Sequence, residues 1–261
     1  MARTVLRGDR RGNPPVLPGD AVSAARAAQS GRAAGLPEGR DGAVEAIRTL
    51  MVAKRSARHE RTQAINQARA PILTGPDELR ARFGAKRPAA LAQAAAALRP
   101  RPGDAVEYSL RIALRELGRR VEFLDAQIER LDELIVPLVT ARAPDLLSLY
   151  GAGPDTAALL LIAAGDRPER LRSEAARAHL CAVAPIPASS GKTRRHRLNR
   201  GGNREASHAL WRIVITRMSA RPEPRAYAGR RTKEGLSRKE IIRCLKRYVA
   251  REVYPCLRPG S

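Results

Sequence analysis

The sequence of 261 residues predicts a mainly α-helical fold, in which long coiled-coil helices are followed by a compact helical domain. Two long segments carry apolar residues at three- and four-residue spacing, the period of an amphipathic helix. The apolar segments after them are short, are separated by Gly and Pro, and have no strong strand pattern. We expect three parts: residues 1–40, 41–143 and 144–258. The first part is rich in Gly, Pro and Arg, so we expect it to be loosely ordered.

The first long helix is predicted from Asp41 to a point before Pro71. Its apolar positions are Val44, Ile47, Leu50, Met51, Ala57, Ala64 and Ile65. Its opposite face carries Arg48, Lys54, Arg55, Arg58 and Arg61. The pattern indicates a basic amphipathic helix, and two short helices are expected after it, at residues 77–82 and 88–98.

Residues 104–143 give the clearest helical pattern of the chain. Apolar residues step alternately by four and three positions over four heptads, which is typical of a coiled coil or a long bundle helix. This seam consists of Leu110, Leu114, Leu117, Val121, Leu124, Ile128, Leu131, Ile135 and Leu138. Two arrangements are open: a hairpin packed within the chain against the preceding long helix, or a homo-oligomer through residues 110–138. The segment holds six Arg against eight Asp or Glu, so the positive charge of the chain is not uniform.

The C-terminal part is predicted to contain five helices and one irregular segment. The helices are expected at residues 145–150, 155–164, 173–183, 203–219 and 238–254. The irregular segment is Pro185–Gly202, which is rich in Gly and Arg.

The formal net charge of +23 indicates a polyanionic partner, and nucleic acid is the default choice. An aromatic content of 3% argues against stacking platforms for single strands. No apolar run approaches the roughly 20 residues that a membrane span needs, so no membrane partner is expected. Three widely spaced cysteines argue against a disulfide framework and a structural zinc site. The start of the chain has no apolar signal region, so we expect the cytoplasm and the nucleoid.

Gly151 and Gly153 form a Gly-x-Gly turn that Thr156 and an apolar helix follow. This order is typical of a helix-hairpin-helix motif, in which glycines let the backbone approach a phosphate and the next helix directs N–H groups at it. The pattern predicts a DNA-binding domain with a helix-hairpin-helix-like motif, in which Gly151, Gly153 and Thr156 contact DNA. The alternative is an ordinary glycine turn between two core helices.

Residues 175–204 contain no acidic residue and hold two serines followed by a cluster of cations. The serines are Ser189 and Ser190, and the candidate DNA-binding cations are Lys192, Arg194, Arg195, Arg197 and Arg200. A hydroxyl that attacks a DNA phosphodiester needs such a setting, because guanidinium groups stabilise the charge that develops on the phosphoryl oxygens. The alternative is a solvated basic loop that only binds phosphates.

An ordered set of motifs resembles the C-terminal domain of insertion-sequence transposases of the IS110, IS116 and IS902 group. The motifs are Gly151-x-Gly153-x-x-Thr156-Ala157, Gly165-Asp166, Ser189-Ser190-Gly191-Lys192, Arg197-Leu198-Asn199-Arg200-Gly201-Gly202-Asn203 and the closing helix 241–254. Residues 41–143 are similar to the helical connector of this family. The resemblance implies a DNA recombinase guided by a bridge RNA, with a serine nucleophile that is Ser190 on the matching motif and Ser189 as the rival.

The family's other half is a RuvC-like domain with four carboxylates that bind Mg²⁺. Only Asp20 matches those carboxylates here, and Leu17 stands where an earlier Asp is expected. One carboxylate cannot hold a divalent cation in a catalytic geometry. We therefore expect a truncated transposase that binds DNA, does not bind Mg²⁺ itself and is inactive alone. The alternatives are a non-catalytic DNA-binding protein and a dominant-negative regulator of an intact transposase.

Overall fold

The computed structural model describes residues 22, 25, 26, 28–30, 41–100, 104–166, 171, 173–188 and 196–257. Its helices are α1 (Ala43–Thr74), α2 (Asp77–Phe83), α3 (Pro88–Ala96), α4 (Ala105–Arg142), α5 (Pro144–Ser148), α6 (Pro154–Ala164), α7 (Glu174–Leu180), α8 (Arg204–Ala220), α9 (Pro222–Lys233) and α10 (Arg238–Cys256). Two short strands, β1 (Ile186–Pro187) and β2 (His196–Arg197), lie between α7 and α8. The predicted mainly α-helical class is confirmed. Packing divides the chain into Met1–Glu38 and Gly39–Ser261, and α1 to α10 all belong to the second unit.

The two longest helices, α1 and α4, form an antiparallel hairpin. Ion pairs join Lys54 to Asp132 and Arg61 to Asp125. The residue later in α1 thus pairs with the residue earlier in α4, so the two helices run in opposite directions. The predicted seam faces α1, and its best-buried members are Leu114, Val121, Leu124 and Ile135. The seam therefore packs within the chain, and the homo-oligomer through residues 110–138 stays a prediction.

The far end of this hairpin is closed by α2 and α3. Phe83 of α2 and Leu91 of α3 share a core with Ile72 and Leu114 of the two long helices. Gly118 lets α3 lie directly on α4, since a Cβ atom there would lie 2.4 Å from the backbone nitrogen of Ala96. This end of the hairpin has its own core.

The near end of the hairpin shares a second core with the C-terminal helices. Ile47 of α1 and Ile135 of α4 are fully buried in the same cluster as Leu160 of α6, Leu210 of α8 and Ile241 of α10. Within the C-terminal part, α6 packs on α8 and α8 packs on α10. The cluster therefore contains residues from both of the predicted parts 41–143 and 144–258.

Lys54 was predicted on an exposed basic face of α1, and this prediction is wrong. Its side chain is 2% exposed and lies between the carboxylates of Asp132 on α4 and Asp155 on α6, with a separation of 2.5 Å from Asp155. Arg58 adds a second ion pair to Asp155 at 2.6 Å. Burial raises the pKa of Asp155, but the hydrogen bonds and charges of Lys54 and Arg58 outweigh it and lower the pKa below its ordinary value of 3.8.

Asp166 makes a second link between the C-terminal part and the hairpin. Its carboxylate accepts a hydrogen bond of 2.9 Å from the backbone N–H of Val44, at the start of α1. A carboxylate is favourable at this end of the helix dipole. Gly42 leaves room for it, because a Cβ atom there would lie 2.2 Å from the Asp166 oxygen.

The structure differs from the predicted elements in three places. Helix α1 continues through Pro71 to Thr74, since Ile72 is buried in the core with α2 and α3 and this packing offsets the lost hydrogen bond. Helix α9 was not predicted, because none of its residues is fully buried and no apolar period shows it. Its signals were Pro222 at the first helical position and Glu223 in the first turn. The segment predicted as irregular contains β1 and β2.

Replacing Lys54 with Met should lower the free energy of unfolding by about 3 kcal/mol, because two carboxylates lose their buried cation. Urea unfolding monitored by Trp211 fluorescence measures this change. Arg120→Met is the matched control, since Arg120 is 51% exposed in its pair with Glu60, and it should cost less than about 1 kcal/mol. Equal losses in the two variants would contradict the role assigned to Lys54.

The stabilisation from the Asp155 carboxylate should be present at neutral pH and disappear in acid. The folded pKa lies below the ordinary 3.8, so the unfolded chain takes up the proton first and stability is lost as the pH falls below 3.8. The difference in unfolding free energy between wild type and Asp155→Asn should therefore shrink in this range. In a Lys54→Met background the same difference should vary less with pH. A difference that is constant down to about pH 2 would show that the carboxylate makes no such contribution.

Candidate nucleic-acid interface

The predicted Gly-x-Gly turn joins α5 to α6, and its two glycines have different roles. Gly151 has a φ of +86°, in the left-handed region that favours glycine, and a Cβ atom there would lie 3.4 Å from the carbonyl oxygen of Ile213 on α8. Gly153 precedes α6, and a Cβ atom on it would meet no atom within 4 Å. The first glycine therefore serves the packing of the turn on α8, and the second leaves the N-terminus of α6 open.

A cleft of about 310 Å³ lies between this turn, the hairpin and α8. Arg58 and Arg212 line it and are 45% and 41% exposed, while the Asp155 carboxylate lies 2.6 Å from the first and 3.9 Å from the second. Thr156, which was predicted to contact DNA, is only 3% exposed. The exposed cations of the cleft therefore come from α1 and α8, not from the turn itself.

The serine segment lies between two paired strands. Ser189, Ser190, Lys192, Arg194 and Arg195 lie outside the described residues. The strands on either side are described: β1 pairs antiparallel with β2, with Ile186 opposite Arg197 and Pro187 opposite His196. The residues on either side of segment 188–195, Pro187 and His196, are therefore neighbours in the structure. Arg197 and Arg200 are exposed beyond its second end.

The turn after β2 is held tightly against the end of α7. Asn199 is buried, its amide donates to the His179 carbonyl, and its oxygen accepts a hydrogen bond of 3.0 Å from the N–H of Gly201. A Cβ atom on Gly202 would lie 2.4 Å from the backbone nitrogen of Ala182. Asn203 caps α8 by accepting from two of its first N–H groups. These residues therefore fix the base of the serine segment.

Arg177 lies in the acid-free stretch but is separated from the exposed cations. It is 5% exposed, its guanidinium lies 4.1 Å from the ring centroid of Tyr254, and it donates to the Tyr254 carbonyl. Arg177 joins α7 to α10, so its role is in packing. Sequence position alone did not separate it from the exposed arginines of the same stretch.

A buried polar contact joins α8 to α10. The ammonium of Lys246 is 2.5 Å from the hydroxyl of Ser207, which accepts its hydrogen bond. Burial lowers the pKa of Lys246 and raises the pKa of the Cys181 thiol to about 11. A thiol with this pKa is protonated at neutral pH, so Cys181 is a structural residue. No sequence pattern indicates this contact, because its members lie far apart along the chain.

A Mg²⁺ site is implied by the resemblance, and the described residues do not fit one. Within them, no group of three or more His, Cys, Asp or Glu side chains could hold a metal ion. Asp20 lies outside the described residues. The same part of the chain has no helix long and apolar enough to cross a membrane.

Comparison with known proteins relates parts of the chain to a protein family and to a bacterial relative. Residues 143–229 match the family model of the transposase IS116/IS110/IS902 family. The chain is also 31% identical, over 159 residues, to the insertion element IS110 uncharacterized 43.6 kDa protein of Streptomyces coelicolor. That match covers 60% of this chain but only 38% of the relative's length. Over residues 143–229 the chain is therefore similar to the transposase IS116/IS110/IS902 family.

Proposed function

We propose that this chain binds DNA for the transposition of an insertion sequence and supplies a serine nucleophile to the DNA backbone. The nucleophile is Ser190, with Ser189 as the alternative. The observation that supports this most directly is the anchored base of the serine segment. Its two ends are held by paired strands, of which β2 contains the exposed Arg197, and the exposed Arg200 follows on a turn fixed to α7. A nucleophile needs such a fixed base, because a small misplacement of the reacting atom costs a large factor in rate.

The proposed step is a phosphoryl transfer to a hydroxyl. The serine Oγ forms an ester bond with a DNA phosphorus and loses its proton, and one phosphorus–oxygen bond of the backbone breaks, leaving a protonated hydroxyl on the released end. A hydroxyl of another DNA end can reverse the step, which frees the serine and joins a new strand. Neighbouring guanidinium groups stabilise the charge that develops on the phosphoryl oxygens.

The turn at Gly153 is the proposed second contact with DNA. The open N-terminus of α6 can direct backbone N–H groups at a phosphate, and Arg58 and Arg212 lie beside it. Because Asp155 already balances part of this charge, the contact depends on the arginines as well as on the helix dipole. Such contacts position DNA without reading its sequence.

The resemblance implies that strand exchange uses four carboxylates, of which Asp20 alone has a match among the given residues. We therefore propose that the chain binds no catalytic Mg²⁺ and that complete recombination requires a polypeptide carrying the four carboxylates. A guide RNA and a second copy of the chain are further proposed partners. A second copy would contact the outer face of the hairpin, since the seam of α4 already packs on α1.

A non-catalytic DNA-binding protein is the second candidate function. It is favoured by the absence of matching carboxylates other than Asp20. A dominant-negative regulator that pairs through the α4 seam is less well supported, because that seam is buried within the chain. The serine pair favours the catalytic candidate, since a protein that only binds gains little from it.

A covalent adduct should form between this chain and a suicide DNA substrate, and its peptide should contain Ser190. Ser190→Ala should abolish the adduct, while Ser189→Ala should retain it. Denaturing electrophoresis followed by mass spectrometry of the adduct measures both results. DNA affinity, measured by fluorescence anisotropy, should stay within about twofold of wild type in both variants, because an alanine removes no charge from the interface.

Each alternative has its own outcome in this experiment. An adduct lost in Ser189→Ala and kept in Ser190→Ala would assign the nucleophile to Ser189. Tight DNA binding without any adduct in wild type would leave the non-catalytic candidate. No binding to DNA at all would contradict both.

A further inference from the structure

A cavity that the proposed serine chemistry does not use lies between β2, α9 and α10. Its volume is about 400 Å³. Arg197 of β2, Arg231 of α9, and Arg243 and Arg247 of α10 line it, together with two glutamates. The arginines come from three separate elements, so no run of charge in the sequence indicates this site.

The two glutamates do not neutralise the cavity. Glu234 pairs with Arg231, and Glu240 lies 3.9 Å from Arg243. Glu240 also completes the capping box of α10 by accepting from Ser237. Within the described part of the chain, Arg197 and Arg247 have no carboxylate partner. The cavity therefore holds four guanidinium groups against two carboxylates, with the surplus on the sides of β2 and α10.

Arg231 gives an independent sign of a missing acceptor. Its Nε–H is buried and, among the described residues, has no hydrogen-bond partner. A buried donor without an acceptor costs about 1–3 kcal/mol, so such groups are rare unless another molecule satisfies them. An anionic oxygen in the cavity would accept from this group.

The basic surface continues on the other side of Arg231 and Arg247. Both residues also line a neighbouring cleft of about 430 Å³, with Arg230 and the exposed ring of Tyr248. A T-shaped contact of Tyr227 with Tyr248, at 5.8 Å between ring centroids, joins α9 to α10 in the lining of this second cleft. The arginines that line the cavity and the cleft therefore form one continuous basic surface. This surface begins at β2, the strand that follows the serine segment.

We propose that this cavity, with Arg197, Arg231, Arg243 and Arg247, binds a phosphodiester of a nucleic-acid backbone beside the serine segment. The planar guanidinium fork matches two phosphate oxygens, which explains the use of arginine rather than lysine here. The inference rests on the proposed function, because it names a further backbone contact of the same DNA-binding surface. DNA and guide RNA carry the same phosphodiester group, so the test includes both.

Cys244 reports directly on the cavity. It lines both the cavity and the neighbouring cleft and is partly buried, whereas the equally partly buried Cys256 lines neither. Bound nucleic acid should slow the alkylation of Cys244 by iodoacetamide at least about fivefold and leave Cys256 unchanged, since only Cys244 is covered. Mass spectrometry of the two peptides from the full chain gives both rates in one sample.

Removal of one arginine tests the energetic role of the cavity. Arg247→Gln should weaken binding about tenfold at 0.15 M salt and reduce the salt slope by about one unit, as expected for one lost phosphate contact. Arg119→Gln is the matched control, because it removes one charge from a residue that is 57% exposed on α4, and it should change neither quantity. An unchanged urea midpoint for Arg247→Gln shows that the variant is folded.

Duplex DNA, single-stranded DNA and RNA of equal length are the three arms of both measurements. Protection of Cys244 in any arm supports the inference and identifies the nucleic acid that enters the cavity. Binding without protection of Cys244, and with the same affinity for Arg247→Gln, would overturn the inference and leave the proposed function intact. No binding in any arm would instead overturn the proposed function, and the inference with it.

Discussion

The ion pairs of the buried Lys54 ammonium with Asp132 and Asp155 join the helical hairpin to the C-terminal helices. The ammonium is buried between carboxylates that lie 78 and 101 residues further along the chain, so it holds α1, α4 and α6 at one point. A buried cation is stable only with such partners, because an unpaired one would lose most of its solvation. The hairpin and the C-terminal helices therefore have one relative position, which the shared core around Ile47 and Ile135 fills with apolar contacts.

The packing of the C-terminal helices on the hairpin determines where the cations of the candidate site lie. Because Asp155 is tied to α1, the N-terminus of α6 opens beside Arg58 and Arg212 and not into free solvent. The serine segment begins and ends at the paired strands β1 and β2, and Asn199 in the following turn hydrogen-bonds the end of α7. The α9 arginines then extend the basic surface away from the base of this segment. The positive charge of the chain is thus divided in two. One part forms internal ion pairs such as those of Lys54, and the other lies on the surface near the serine segment.

Local patterns predicted most helices, and long-range contacts account for what they missed. The period of apolar residues is enough to place α4, because a helix shows its buried face in its own sequence. The sequence pattern does not distinguish the buried Lys54 from the exposed cations beside it, because its carboxylate partners are distant in sequence. The same reason hid the cavity at Arg231 and Arg247, whose walls come from three elements. The Gly-x-Gly motif predicts Thr156 as a DNA contact, whereas packing against the core buries its side chain.

The Lys54 ion pairs and the shared core should make the hairpin and the C-terminal helices one cooperative unit. Urea unfolding followed by two probes tests it most directly: far-UV circular dichroism, which weights the 32-residue α1 and the 38-residue α4, and the fluorescence of Trp211 on α8. The chain has one tryptophan, so the second probe reports on the C-terminal part alone. The two transitions should coincide if the chain unfolds as one unit. Two separate midpoints would contradict it, because the C-terminal helices would then unfold without the hairpin.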